Sequence, residues 1–341
     1  MVRQTSEGRA GERNGEHAED DVAERNEDRT GDGAPERDRE RTGDRAAERD
    51  EERTGDRAAE RDDAPTDLER ARRVAVDAAR AAGWLITEGT RAALVVNPKG
   101  DDGDVVTDLD LSSERLLVGR VLSAFPGHAV VSEEAGVLGE AGSEWTWVID
   151  PLDGTNNVAI GLPLYAVGLA LCRGGRPELG VVHEPVTGRT WSAVRGRGAV
   201  GPAGPLSAPP YRPGRSGPVL AWVQGYGVRR GDPVATALKA ALDLRARRVL
   251  RLWAPLLAWV MLARGDIDGI VGYRTGVVDL PGGLLIAREA GAVVGGFDGA
   301  PFDRVPLDGS GCDFVAGRAG LREELLEEVL KEAGAVQETA R

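Results

Sequence analysis

One stretch of this chain decides its fold: Trp147-Val148-Ile149-Asp150-Pro151-Leu152-Asp153-Gly154-Thr155-Asn156-Asn157. It begins as an apolar β-strand and places two carboxylates, Asp150 and Asp153, at the end of that strand. A proline and a glycine mark a turn there, so the two carboxylates can converge on one point. Converging carboxylates repel each other unless a cation lies between them. The pattern therefore indicates a cation site, although a turn in which Asp150 caps the following backbone would use the same residues.

Acidic residues also mark the ends of other apolar segments. They are Glu133 and Glu134 after a short strand, Asp104, Asp108 and Asp110 before an amphipathic helix, and Asp279 at the entrance to a helix. Any of these alone is typical of a solvated charge or a helix N-cap. Together they supply oxygen ligands at the ends of several elements, as a site for two or three hard cations requires.

Helices and strands alternate through the chain, which predicts an α/β or α+β layered sandwich. The first helix should begin at Thr66-Asp67-Leu68-Glu69, which has the pattern of a capping box. A connector rich in Pro and Gly at 201–218 predicts two lobes. We therefore expect a charged tail over 1–65, an N-terminal α+β lobe with most metal ligands over 66–205, a C-terminal α/β lobe over 206–335 and a short tail over 336–341.

The first 65 residues differ from the remainder in composition. They hold 22 of the 56 acidic and 13 of the 43 basic residues, so 34 acids and 30 bases, a net charge of −4, remain for the rest of the chain. They lack Leu, Ile, Phe, Tyr, Trp and Cys, and the segment Arg41–Asp50 recurs as Arg53–Asp62. Such a segment buries too little apolar surface to offset the entropy of ordering it. We expect a disordered, solvating tail, with a docking arm as the alternative.

The composition also excludes several classes of protein. The nearly balanced charge of the folded part argues against a nucleic acid polymer as partner. The N-terminus has no apolar signal segment, and the run Trp253–Ala263 is too short to span a bilayer, so we expect a cytoplasmic protein without a membrane partner. Two cysteines and three histidines, without zinc-site spacing, leave carboxylates as metal ligands. Carboxylates indicate a hard ion such as Mg²⁺.

Four motifs together resemble the inositol monophosphatase family of magnesium-dependent, lithium-sensitive sugar phosphatases. The family pattern W-x-I-D-P-[IL]-D-G-T-x-N-F matches Trp147–Asn157, with Val158 in place of Phe. The pattern D-x-V-T-x-x-D-x-x-x-E matches Asp104 to Glu114, with Lys99 upstream, and G-E-E is represented by Ser132-Glu133-Glu134. A last motif runs from Val278 to Gly291. The resemblance covers about residues 66–335.

The resemblance implies a role for each matched residue. One ion would be held by Glu133, Asp150 and the carbonyl of Leu152, and a second by Asp150, Asp153 and Asp279. Glu133 would also touch a third, loosely bound ion. Asp110 and Thr155 would orient and deprotonate the attacking water, and the amides of Gly154 and Thr155 would receive the phosphate. The implied activity is hydrolysis of a small phosphorylated polyol or sugar with two or three Mg²⁺ ions per site.

Two segments depart from the family pattern around the leaving group. Trp253-Ala254-Pro255 stands where the family has Gly-[Ser/Thr]-Ala, and Arg274 lies in a stretch where the family has an acidic residue. We expect both Trp253 and Arg274 to contact substrate, with Arg274 pairing with a second anionic group. Core packing for Trp253 and a surface ion pair for Arg274 are the alternatives. Substrates of the fructose-1,6-bisphosphatase or bisphosphate nucleotidase type therefore stay open, as do a non-catalytic binding module and a homodimer.

Overall fold

A computed structural model of the chain describes residues 67–92, 94–99, 104–214 and 217–339. The predictions for the tail over 1–65 concern residues outside these ranges. The helices among the described residues are α1 (Leu68–Gly89), α2 (Asp108–Ala124), α3 (Thr155–Ala159), α4 (Pro233–Arg245), α5 (Pro255–Arg264), α6 (Pro281–Glu289) and α7 (Arg322–Thr339).

The strands follow in chain order. They are β1 (Val96–Lys99), β2 (Asp104–Thr107), β3 (Ala129–Ser132), β4 (Gly136–Gly139), β5 (Trp145–Asp153), β6 (Ala166–Arg173), β7 (Arg176–Glu184), β8 (Arg189–Val194), β9 (Ala199–Gly201), β10 (Gly204–Pro205), β11 (Val219–Gln224), β12 (Arg248–Leu250), β13 (Gly269–Thr275), β14 (Ala292–Gly296) and β15 (Cys312–Arg318).

Side-chain caps explain where the first two long helices begin. The side chain of Asp67 accepts hydrogen bonds from the Glu69 and Arg70 amides and so caps α1. The cap is therefore the second residue of the predicted start, Thr66-Asp67-Leu68-Glu69, rather than the first. In α2, Thr107 and Asp110 form a reciprocal capping box. That box starts α2 at Asp108.

The strands form three sheets. An eight-stranded sheet has the order β10-β9-β8-β7-β6-β5-β3-β4, and its pairs are antiparallel except for β3 with β5. A five-stranded sheet has the order β12-β11-β13-β15-β14, in which β11 runs parallel to both of its neighbours. A two-stranded ribbon joins β1 to β2. β7 and β8 form a hairpin whose turn spans residues 185–188.

The helices cover the two large sheets in layers. α1 and α2 pack on one face of the eight-stranded sheet, and α5 and α6 pack between the two large sheets. α4 and α7 pack on the other face of the five-stranded sheet. Three apolar cores lie between these layers. β6 has a core on each of its faces, so it is buried from Ala166 to Cys172, as its unbroken apolar run predicts. The layered α/β sandwich is therefore confirmed.

The described residues belong to one compact unit. The lobe boundary between residues 205 and 206 stays a prediction, and α7 continues to Thr339, beyond the predicted end of the second lobe at 335. None of the helices within the described ranges is long and apolar enough to cross a membrane. The cytoplasmic location and the homodimer stay predictions.

Candidate metal centre

A break in the ladder between β5 and β6 brings Asp150 and Asp153 together. Residues three apart on a regular strand point to opposite faces of the sheet. Here the register shifts between the pairs Asp150–Gly168 and Asp153–Ala166, in a stretch that includes Pro151, which has no amide hydrogen to donate. Asp150 Oδ1 also accepts a hydrogen bond from the Leu152 amide at 3.1 Å. The same turn therefore has Asp150 as its cap and brings the two carboxylates together.

Asp279 joins these two residues from the turn before α6. One carboxylate oxygen from each of Asp150, Asp153 and Asp279 lies within 4.8 Å of the others. Burial raises the pKa of Asp150 and Asp153 well above the ordinary value, and repulsion from neighbouring carboxylates raises it further. Burial, then Glu133 and Asp104, raise the pKa of Asp279 to about 7. This arrangement is costly for the protein alone and suits a multivalent hard cation.

Glu133 lies beside this cluster and is paired with a lysine. Lys99 Nζ donates to Glu133 Oε1 at 2.9 Å and to Glu134 Oε1 at 2.7 Å. Burial raises the pKa of Glu133 to about 7 despite Lys99. Glu133 raises the pKa of Asp150 electrostatically, but among the described residues it does not belong to the group whose oxygens lie within 4.8 Å of one another. The family motif includes Lys99, but sequence reasoning assigned it no function.

Glu114 fixes the turn that carries Glu133. Its Oε1 accepts hydrogen bonds from Ser132 Oγ at 2.5 Å and from the amides of Glu134 and Ala135 at 3.0 Å each. Glu114 is buried, and it lies one helical turn after Asp110 on the same face of α2. Sequence reasoning matched Glu114 to the motif without a role; its spacing from Asp110 was the available signal.

Asp110 connects the cap of α2 to Thr155. Its Oδ2 accepts from the Thr107 amide at 2.8 Å and from Thr107 Oγ1 at 2.5 Å. Its Oδ1 lies 2.6 Å from Thr155 Oγ1, which also lies 2.9 Å from the Leu152 carbonyl oxygen. Burial raises the pKa of Asp110, although the bonds from both threonines oppose that rise. The structure thus brings Asp110, Thr155 and the Leu152 carbonyl together, and the roles assigned to them stay predictions.

Gly154 needs to be a glycine at this turn. Its φ is +99°, in the left-handed region. A Cβ atom there would lie 2.9 Å from the Leu164 carbonyl oxygen and 3.2 Å from that of Trp253. The backbone of Trp253 is therefore packed against the turn that precedes α3.

Trp253 and Arg274 are the non-glycine residues with positive φ in the described ranges, at 52° and 49°. Such backbone is uncommon for bulky residues, and strain of this kind clusters at functional sites. The Trp253 side chain is 57% exposed, so core packing is not its role. The Arg274 guanidinium lies 5.3 Å from the centre of the Tyr273 ring, and the Arg274 amide donates to Asp313. Contact of either residue with substrate stays a prediction.

Other residues near the turn were not predicted from sequence. Asn157 Nδ2 donates to the carbonyl oxygens of Leu164 and Leu252 at 2.7 and 2.8 Å, which ties α3 to the segment before Trp253. Asn156 contacts Tyr226, which no local pattern signals. Of the predicted acids, Asp104 is buried beside Asn156, whereas Asp108 is exposed in the first turn of α2.

Comparison with known proteins gives a consistent assignment. The inositol monophosphatase family model matches residues 67–337. The chain is 34% identical over 228 residues to Nus factor SuhB of Pasteurella multocida (strain Pm70), covering 66% of this chain and 85% of that protein. It is 31% identical over 246 residues to inositol monophosphatase 1 of Solanum lycopersicum, covering 69% and 88%. The solved inositol monophosphatase from Anabaena (Nostoc) sp. PCC 7120 superposes with a TM-score of 0.68 at 25% identity, covering 78% and 98%. The chain therefore belongs to the inositol monophosphatase family.

Proposed function

We propose that this chain is a magnesium-dependent phosphomonoesterase that hydrolyses a small phosphorylated polyol or sugar. The observation that carries the proposal is the convergence of Asp150, Asp153 and Asp279 within 4.8 Å. Lys99 lowers the pKa of Asp279, but its ammonium group donates hydrogen bonds to Glu133 and Glu134 and so does not neutralise the three aspartates. The excess of buried negative charge, presented on oxygen atoms alone, fits Mg²⁺.

The residues divide into two groups of metal ligands. Glu133, Asp150 and the Leu152 carbonyl would hold one ion, and Asp150, Asp153 and Asp279 a second, with a third ion near Glu133. When bound, Mg²⁺ would neutralise the phosphate and make water more acidic. Leu256 donates its amide to Asp153 Oδ2 at 2.8 Å, which holds that carboxylate in place.

Asp110 and Thr155 would handle the proton of the attacking water. Thr155 Oγ1 has one hydrogen, and the short contact to Asp110 Oδ1 makes the Asp110 carboxylate its acceptor. Thr155 Oγ1 can then accept a hydrogen bond from water while Asp110 supports the charge that develops. Thr155→Ala should leave metal binding intact and slow the chemical step by about 10²-fold.

The choice of alcohol would fall to residues outside the metal cluster. The exposed Trp253 ring and Arg274 are the proposed contacts. If Arg274 pairs with a second anion, bisphosphates of fructose or of a nucleoside would be favoured over inositol 1-phosphate.

A role as a binding module is the second candidate, because several relatives carry the name Nus factor SuhB rather than that of a phosphatase. The intact set of Glu133, Asp150, Asp153, Thr155 and Asp279 favours catalysis, because a pure binding role does not need these side chains together.

The test is phosphate release from a panel of inositol, fructose, glycerol and nucleoside phosphates, with Mg²⁺ or with EDTA. We expect release that requires Mg²⁺ and that falls by at least about 10²-fold in Asp150→Asn, since Asp150 serves both ions. Asp108→Asn, the same change at an exposed acid of α2, is the matched control and should retain activity. A folded protein that releases no phosphate from any substrate would refute the proposal.

A further inference from the structure

The feature behind the inference is a contact between Tyr226 and α3. Asn156 Nδ2 donates to the Tyr226 hydroxyl oxygen at 3.1 Å and lies 3.4 Å from Asp104 Oδ1. Tyr226 lies in the loop after β11, whereas Asn156 follows Thr155 directly. One amide therefore holds a phenol from a distant part of the chain beside the proposed phosphate turn.

The loop that carries Tyr226 is held closely against β13. A Cβ atom on Gly225 would lie 1.8 Å from the Arg274 carbonyl oxygen, so only glycine allows this approach. The Gly225 amide donates to the Tyr273 carbonyl oxygen at 3.1 Å, and the Gly225 carbonyl oxygen accepts from the Val228 amide at 3.2 Å. The left-handed backbone of Arg274 thus contributes to the placement of Tyr226.

The Tyr226 hydroxyl is available as a hydrogen-bond donor. Its oxygen accepts from Asn156, and its own proton has no acceptor among the described residues. The side chain is 45% exposed. Burial of the hydroxyl and the charge of Asp104 raise the pKa of Tyr226, with smaller contributions from Asp279 and Glu133. The phenol therefore stays protonated at neutral pH and lies within the electrostatic reach of the candidate metal ligands.

We propose that Tyr226 is a specificity-determining residue whose hydroxyl donates a hydrogen bond to an oxygen of the alcohol being released, and that Asn156 is the residue that positions it. The inference rests on the proposed function and deepens it by assigning the residue that would recognise the released alcohol. Because the Asp104 carboxylate is close, the acceptor is a neutral hydroxyl or ring oxygen rather than a second phosphate. Polyol and sugar phosphates fit this description, and alcohols without a further oxygen do not.

The test compares a hydroxylated substrate with phenyl phosphate, whose leaving group has no oxygen besides the bridging one. The hydroxylated substrate is inositol 1-phosphate or glycerol 2-phosphate, whichever the wild type hydrolyses faster with Mg²⁺. Tyr226→Phe should lower the ratio of kcat/KM for the hydroxylated substrate to that for phenyl phosphate by about threefold to tenfold, the range for one hydrogen bond. Tyr211→Phe removes a phenol hydroxyl from the connector and should leave the ratio unchanged.

Asn156 is tested through its dependence on Tyr226. Asn156→Ala should lower the same ratio in the wild type and have no further effect in Tyr226→Phe, because its action requires the hydroxyl. An unchanged ratio in Tyr226→Phe, or wild-type activity on phenyl phosphate alone, would overturn this inference while leaving the phosphatase proposal standing. Absence of phosphate release from every substrate would overturn both.

Discussion

Replacing Asp279 by Asn should make the metal-free protein more stable while it removes Mg²⁺-dependent activity. Asp279 lies with Asp150 and Asp153 in a group of carboxylates that repel one another. A neutral amide of the same shape removes one charge from that group and can donate to the other two residues. The expected gain in stability is the opposite of what most substitutions produce.

The magnitude follows from the pKa of Asp279, which burial and the charges of Glu133 and Asp104 raise from 3.8 to about 7. At 1.36 kcal/mol per pH unit, the difference corresponds to about 4 kcal/mol. Asp279 retains partial exposure, so solvent screening reduces this figure, and we expect a gain of about 1–3 kcal/mol in the free energy of unfolding at pH 8.

The pH dependence has a definite sign. Between about pH 4 and 7 the folded state binds more protons at Asp279 than the unfolded state does, so the stability of the metal-free wild type falls as pH rises through this window. The advantage of Asp279→Asn should therefore be absent at pH 4, grow up to about pH 7 and stay constant above it. Saturating Mg²⁺ should reverse the order, because it stabilises the wild type through a ligand that the variant lacks.

Urea unfolding in EDTA at pH 4, 6 and 8, repeated with Mg²⁺ at pH 8, measures these differences. Asp77→Asn, the same change at an exposed residue of α1, should shift stability by less than about 0.5 kcal/mol at each pH. If Asp279→Asn is less stable than the wild type in EDTA at pH 8, the carboxylates do not repel as argued and the reasoning fails.

Three further predictions concern positions outside the metal ligands. Glu114→Ala leaves three donors without an acceptor, so it should lower the free energy of unfolding in urea by about 3–5 kcal/mol and also lower kcat. Glu114→Gln keeps an acceptor oxygen and should lower the free energy of unfolding by less than half as much. Equal losses in the two variants would show that Glu114 does not act through these bonds. Gly154→Ala should lower Tm and should lower kcat/KM by more than tenfold. The control Gly119→Ala, in open space on α2, should leave the free energy of unfolding unchanged or raise it by up to about 1 kcal/mol. Deletion of residues 1–65 should leave Tm and turnover nearly unchanged, and loss of most activity would contradict that prediction.

Local patterns predicted most elements around the candidate site. The strands ending near Ser132, Asp150 and Thr107 were predictable because each is a short apolar run followed by polar residues. Helices α4, α5 and α6 were predictable because each begins at a proline, which favours the first helical position. β11, β15 and α7 were missed although local signals for them exist: β11 is an apolar run between Pro218 and Gly225, β15 follows Gly309 and Gly311, and α7 is rich in Glu and Leu, which favour helices.

The sequence by itself singled out Asp150, Asp153 and Asp279 as candidate ligands, because the motif residues and their spacing are local properties. Their convergence was decided by tertiary structure: only the register shift on β5 directs Asp150 and Asp153 to one point, and only the turn before α6 adds Asp279. The same holds for Tyr226, which contacts Asn156 across 70 residues of sequence. Such contacts depend on how sheets and helices pack, and packing is set by the sum of many distant interactions rather than by any short pattern.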